Sequence, residues 1–468
     1  MAYMQSGKNQ NWLLPLSIND MIPEDHICFM VEEFVESLDF SNFNIIYDGA
    51  GHPAYHPRII MKIIIQGMLS RIRSSRKLAA GCRENFVIMY LSEKTQPDFR
   101  TIARFRKENA DFIKSAFKKT LEFAEKNKII DISSVFIDGT KIKAYASKKR
   151  YLGRIALDKL DKAIDKMIKE DIEIDEIEEE LFGDKEDGLT GVDRRDLKKI
   201  VKEFNKSKNK KKVKENIQKA RQEFDTNNVE KVSLSDSESR IMKNAKSYTE
   251  PSYNAQISVS RNQIIIANDV CQDGHDAHQL IPQMSNINEN IRLRKDTKVG
   301  VDCGYSDGEN IKFAEDKGID LYVPSRAQAQ EFDDKKQSLN HDKYEYDEVK
   351  DELIANGIRY PYHHSYIRKN NGKKIFVYQL PGAKLRKHVP EFFRERLRMK
   401  EKMEKPESRK MYSQRKITVE PVIGNIKQNF GFREFLLKGI DNVKIELNLV
   451  CIAHNLQKIW RMTAAKDY

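Results

Sequence analysis

Cysteine is scarce in this sequence: five residues in 468, at Cys28, Cys82, Cys271, Cys303 and Cys451, with no Cys-x-x-Cys pair among them. That spacing argues against a zinc or dithiol redox centre, and a chain this long is not a disulfide-stapled miniprotein. Thiols used this way fit a reducing cytoplasm. Long apolar runs are missing as well. The opening MAYMQSGKNQ is polar, and the richest early run, 59–65, is short and interrupted by Lys62, so neither a signal peptide nor a membrane span is expected. No internal repeat is found.

What the chain does contain is charge and enough apolar material for real cores. Apolar residues make up 39% and charged residues 33%, above the roughly 25% charged of an average globular protein, so long solvated helices are expected within two to four domains. Lys and Arg number 83 against 71 Asp and Glu, a net charge of +12. Between Tyr366 and Lys416 alone there are 17 Lys/Arg, 5 Glu and no Asp. A positive field concentrated this way suits a polyanionic partner through counterion release from phosphates.

Residues 1–130 read as helical, with apolar positions three and four apart at 21–38, 58–70, 75–83 and 98–107, and with Ser75 and Asp98 at N-cap positions. SSVFIDGTKIKAYAS then changes to the β-branched and aromatic text of a buried strand, with Asp138 at its middle. Residues 151–230 hold 40 charged residues in 80. Narrow stripes of Leu157, Leu160, Ile164 and Met167, then Leu197, Ile200, Val201 and Phe204, predict a helical hairpin or coiled coil inserted into the fold, turning at 181–191, with 205–216 partly disordered.

Strand text resumes at 253–260 and 263–270 as a hairpin. A helix follows over 275–291, then KVGVDCG ending a strand at Asp302, a further helix, and the strand IDLYVP, for a core order of β-β-β-α-β-α-β. A polar stretch from Ser325 to His364, a β-pair around 373–380, a basic helix 390–410 and helices 418–430 and 442–462 complete the chain. The domain boundaries this predicts are 1–130, 131–150 for the first core strand, 151–245, 246–324, 325–400 and 401–468.

Asp138, Asp302 and Glu420 are the candidate chemical residues. A carboxylate within an apolar strand is costly unless something compensates its charge; a divalent cation is one compensation, and three hard oxygen donors suit Mg²⁺ or Mn²⁺ better than Zn²⁺. Taken singly, a strand aspartate can equally be a cap or the partner of an arginine. HDAH at 275–278 offers two histidines three apart with no third ligand at a recognisable spacing, so Asp276 is assigned to capping the following helix. Asn254 or Gln256 of YNAQ can stand near the active site or make structural hydrogen bonds, and the second is the assignment taken.

Three motifs together resemble one family. VFIDGTKI at 135–142 is similar to the first-Asp strand, and VDCGYSDGEN at 301–310 to the second-Asp motif, of DDE-type transposases of bacterial insertion sequences. Tyr412-x-x-Arg415 followed by Glu420 and Lys427 is similar to their Tyr-Arg-Glu-Lys box, with four residues rather than the usual three between Arg and Glu. The N-terminal stretches 55–67, 71–79 and 97–109 resemble the helical region of the same transposases, whereas 151–230 and roughly 325–400 lie outside the likeness. The cysteine cluster some relatives carry before the final Glu has no counterpart, since residues 325–400 contain no cysteine.

The resemblance implies a ribonuclease H-like α/β mixed-sheet core with an α-helical DNA-binding N-terminal domain and a charged helical insertion. It implies Asp138, Asp302 and Glu420 as catalytic metal ligands for Mg²⁺ or Mn²⁺, cleaving element ends and transferring the strand to target DNA. Double-stranded DNA would meet Arg71, Arg73, Arg76, Arg100 and Arg104 in a helix-turn-helix-like face, Arg394, Arg396 and Arg398 in the basic segment, and Arg415 and Lys427 near the carboxylates. A homodimer on paired ends, in the cytoplasm and nucleoid-associated when bound, is the implied working form. A decayed DNA-binding relative and a nuclease without strand transfer are the alternatives.

Overall fold

The computed structural model describes residues 17–43, 54–169, 194–197, 199–201, 210–244, 248–332, 344–369 and 372–464. They divide into two compact units, one made of residues up to Lys128 together with those from Leu449 on, the other of Ile129–Asn448.

The first unit is helical: Cys28–Glu36, Pro57–Leu69, Ser75–Glu84, Phe86–Leu91, Phe99–Glu108 and Ala110–Lys126. Asp98 caps its helix as expected, accepting from the Arg100 amide at 2.7 Å. Ser75 does not cap: Ser74 holds that position, and the Ser75 hydroxyl instead accepts from the buried guanidinium of Arg106. Lys62, which interrupts the apolar run, is 1% exposed and keeps its charge by pairing with Glu32, Glu36 and Glu93 at 3.2, 2.6 and 3.4 Å. The last helix, Ile440–Ala464, runs into this unit, where Asn455 donates to Thr120 at 3.0 Å and Trp460 to the Asp25 carbonyl at 2.9 Å.

The second unit is built on a mixed sheet. Its strands are β1 (Ser134–Lys143), β4 (Arg240–Lys243), β5 (Thr249–Ser260), β6 (Ile265–Cys271), β7 (Lys298–Val301) and β8 (Asp320–Tyr322), with β2 (Tyr151–Leu152) and β3 (Val232–Ser233) forming a separate pair between them in sequence. β1 is central, antiparallel to β5 and parallel to β7; β7 is parallel to β8, and both β4 and β6 pair antiparallel with β5. The helices Leu280–Asn290 and Gly308–Asp316 connect β6 to β7 and β7 to β8. This is the expected β-β-β-α-β-α-β core with β4 added at its edge.

Two inserted regions lie outside this core. Helices Arg154–Lys169 and Lys210–Thr226 pack around Leu157, Leu160, Ile164, Leu197, Ile200, Val201 and Ile217, all buried in one cluster, so the apolar stripes cover each other. The β2–β3 pair closes its base. The expected turn at 181–191 and the side chains of Met167 and Phe204 lie outside the described residues, and 210–216, expected in part to be disordered, belongs to the second helix.

The stretch expected as polar text with one β-pair is a five-stranded antiparallel sheet, β9 (Tyr344–Asp347), β10 (Glu352–Ala355), β11 (Ile358–Ile367), β12 (Lys374–Gln379) and β13 (Arg386–Pro390), paired in that order. It packs Leu353, Tyr360, Tyr378 and Val389 around Phe393 of the following helix, Phe393–Glu404. Among the described residues no helix is long and apolar enough to cross a membrane, and all five cysteines are free.

Candidate active site

β1 and β7 pair in parallel as far as Ile137 and Val301, so the next residues, Asp138, still within β1 and paired with β5, and Asp302, just past the end of β7, stand side by side at the carboxyl end of β7. Such an edge of adjacent parallel strands is where α/β sheets hold ligands. Asp302 also caps the short 3₁₀ turn Cys303–Tyr305 through the Cys303 amide at 2.7 Å, and Asp138 accepts from the Gly139 amide at 2.9 Å.

Both carboxylates meet the same cation. Arg415 Nη2 is 3.1 Å from Asp138 Oδ2, and its Nη1 is 3.4 Å from Asp302 Oδ1, with Arg415 side-chain exposure at 8%. Tyr412 joins them: its hydroxyl donates to Asp302 Oδ1 at 3.3 Å and accepts from Arg415 Nη1 at 3.2 Å. Burial works against the Arg415 charge, but Asp138 and Asp302 hold its pKa above the ordinary arginine value. Burial dominates for Asp138, whose pKa is pushed up to about 6 despite Arg415, with Asp302 and Asp276 adding repulsion. One guanidinium therefore does not fully compensate this carboxyl group.

Glu420, exposed near the start of the helix Val419–Gly424, lines one cleft of about 440 Å³ with Asp302, Cys303, Arg326, Tyr412 and Arg415. The four residues between Arg415 and Glu420 run through the 3₁₀ turn Gln414–Ile417 and Thr418 into that helix. Among the described residues no three His, Cys, Asp or Glu are gathered closely enough to hold a metal ion as they stand. The donor chemistry nevertheless fits a hard divalent cation: one guanidinium bridges two adjacent carboxylates, Asp138 and Asp302, and Glu420 lines the same cleft as Asp302.

Asp276 does not cap a helix. The helix begins at Leu280, and Asp276 Oδ1 accepts from Asn254 Nδ2 and Gln256 Nε2, each at 2.7 Å, with Lys141 Nζ at 3.5 Å. Gln256 in turn accepts from the fully buried Tyr305 hydroxyl. Asn254, Gln256, Gly139 and Lys141 share one face of β1–β5 by their register, the face opposite Asp138. Polar residues at alternate positions of an otherwise buried strand were the signal for this group.

Lys427 stands in a π-helical segment, Asn425–Asn429, and donates to the Lys141 carbonyl at 3.0 Å. Burial lowers its pKa. Arg415, expected on DNA, is turned inward onto the carboxylates. In the basic segment, Arg394 pairs with Asp351 at 2.8 Å, Arg396 with Asp307 at 3.3 Å, and Arg398 with Glu315 at 2.7 Å, so each of the three charges is already matched within the protein. In the N-terminal unit Arg76 lies over the Phe99 ring at 4.1 Å, Arg100 and Arg104 are exposed, Arg71 is exposed at φ 60°, and Arg73 is half-buried.

Two family models match the chain: "Transposase domain (DUF772)" over residues 16–108 and "Transposase DDE domain" over 382–460. The second span contains Arg415, Glu420 and Lys427; neither reaches Asp138 or Asp302. No curated protein and no solved structure matches.

Proposed function

We propose, for a chain that through these two domains is an insertion-sequence-type DDE transposase with a ribonuclease H-like core, that Asp138, Asp302 and Glu420 are its catalytic carboxylates and that it cuts element ends and joins them to target DNA. The observation that carries this reading is the convergence of Asp138 and Asp302, from adjacent parallel strands, on one bridging cation with Glu420 on the same cleft.

Asp138, Asp302 and Glu420 would hold Mg²⁺ or Mn²⁺. Bound there, such an ion supplies Lewis-acid stabilisation of the attacking and leaving oxygens in an in-line phosphoryl transfer. The burial of Asp138 keeps its carboxyl out of bulk water, where it binds cations more strongly than an exposed one. Asp302, fixed by the Cys303 amide, and Tyr412, hydrogen-bonded to it, keep that carboxylate oriented toward the cleft. Exposed Arg76, Arg100 and Arg104 of the N-terminal unit, with Arg71 and Arg73, are the proposed contacts to element-end duplex. Two copies on paired ends, acting in the cytoplasm on nucleoid DNA, form the proposed working complex.

Supercoiled plasmid carrying the native element ends, incubated with the protein and Mg²⁺, tests this. Joined products are expected; nicking without joining would reassign the chain as a nuclease, and binding alone as a decayed relative. Asp138→Asn, Asp302→Asn and Glu420→Gln are each expected to abolish cleavage while leaving end binding intact. Near-normal cleavage by any of them removes that residue from the site.

A further inference from the structure

Arg415 does not grip one carboxylate with both arms, the usual arginine geometry. It divides them, one Nη to Asp138 and the other to Asp302, so that a single planar cation bridges two strands. Its Nε is buried and has no hydrogen-bond partner. Besides the two carboxylates, only the Tyr412 hydroxyl accepts from it, at 3.2 Å from Nη1, so most of what holds the side chain in place is the pair of charges it bridges.

We propose that Arg415 is a resident counter-ion occupying the divalent-cation position between Asp138 and Asp302, and that the ion binds by displacing the guanidinium. The inference rests on the metal reading above. An ion bound to these carboxylates has metal–oxygen distances of about 2.0–2.1 Å for Mg²⁺, and the guanidinium nitrogens stand in front of the same two oxygens, so both cannot occupy the place together. The displaced side chain has somewhere to go, since Arg415 already borders the cleft of about 440 Å³. Its backbone lies in the 3₁₀ turn Gln414–Ile417, a helix type with poorer hydrogen-bond geometry that is readily remodelled. In the resting protein the arrangement spares two carboxylates from facing each other bare.

The test is competition for one place. Mn²⁺ binding to the full-length protein, measured by calorimetry and by the spin-resonance signal of free Mn²⁺, is compared for wild type, Arg415→Ala and Arg415→Lys. Arg415→Ala is expected to bind Mn²⁺ on the order of ten- to a hundred-fold more tightly, the usual size of coupling between two ligands, and to melt lower without Mn²⁺ and gain more in Tm with it. Arg415→Lys, which keeps the charge but has no planar fork to span two carboxylates, is expected in between. Low millimolar guanidinium chloride, against NaCl of equal ionic strength, should weaken Mn²⁺ binding to Arg415→Ala and leave wild type unchanged. Equal Mn²⁺ affinity in wild type and Arg415→Ala, or no guanidinium competition, overturns the displacement while leaving the metal reading intact. No Mn²⁺ binding by any variant overturns the metal reading and this inference with it. If Arg415→Ala fails to fold, the Arg415→Lys affinity decides, and a wild-type value overturns the proposal.

Discussion

Asp276 Oδ1 lies 2.7 Å from Gln256 Nε2, and a Cβ built on Gly139 would stand 2.3 Å from the one and 2.5 Å from the other. The strand that carries Asp138 therefore has a glycine at the next position because a carboxylate and an amide occupy the space a side chain would fill. Gly139→Ala is expected to destabilise the protein by about 1–3 kcal/mol, the range of overpacked cores, and to lower cleavage by shifting Asp138. Urea denaturation and the plasmid assay check this; an unchanged midpoint would mean that Asp276 and Gln256 move aside freely.

Arg394 differs from the exposed lysines of its segment. It pairs with Asp351 at 2.8 Å, lies over the Tyr346 ring at 4.7 Å and donates to the Tyr378 hydroxyl at 3.1 Å. Arg394→Ala is expected to loosen the β9–β13 sheet, seen as an earlier thermal transition, with little effect on the salt dependence of DNA binding. Replacing exposed Lys369, Lys374 and Lys384 with Ala is expected to do the reverse, flattening that dependence by up to ~0.9 log unit for each duplex phosphate that is no longer neutralised. A flattened slope for Arg394→Ala would return that residue to the DNA.

The Asp138 carboxyl sets a pH limit. Because burial raises its pKa to about 6, it takes up a proton as pH falls through that value and then competes poorly for a cation. Mn²⁺ binding is expected to weaken below about pH 6. The effect on stability has its own sign: a raised folded pKa adds stability that is fully present below the unfolded value and is lost as pH rises through about 6. Stability and metal binding at this group thus change in opposite directions with pH, which paired titration and melting experiments at pH 5 and 7.5 would show. Mn²⁺ affinity independent of pH over that range contradicts the assignment.

The helical insertion satisfies its own apolar stripe, as the buried Leu160, Ile164, Leu197 and Ile217 show. The β2–β3 pair marks its natural base, Leu152 opposite Val232. Replacing residues 155–230 with a short Gly/Ser linker is expected to leave the core sheet folded, with Tm moved by only a few degrees, and Mn²⁺ binding retained. Loss of the cooperative melt by circular dichroism would show that the core depends on the insertion. Whether the folded variant still forms the paired-end complex, measured by native gel, then reports on the insertion's own contribution to assembly.

The core strands were legible because their text is dense in β-branched residues: IIIAND and VFIDG cannot be solvated. Asp138 and Asp302 stood out by being charged inside such text. The same contrast concealed β9–β13, where one face is wet and β11 carries Pro361 and two histidines, so that strands pass for polar loop. Asp276 was misread because a short acid before a helical pattern has the signature of a cap, and only the fold brings Gln256, twenty residues earlier, to its oxygen. Arg415 illustrates a different limit, because a basic segment gives no local sign of which cation turns inward.

The first unit is not finished by the residues that begin it. Its helices are completed by 449–464, where Asn455 and Trp460 reach Thr120 and the Asp25 carbonyl. During synthesis the early helices therefore wait for the last ones until the whole second unit has emerged from the ribosome, although domains otherwise form in order from the N-terminus. A product cut short by a frameshift or premature stop before this helix would lack it, so an incomplete copy would not leave behind an intact first unit.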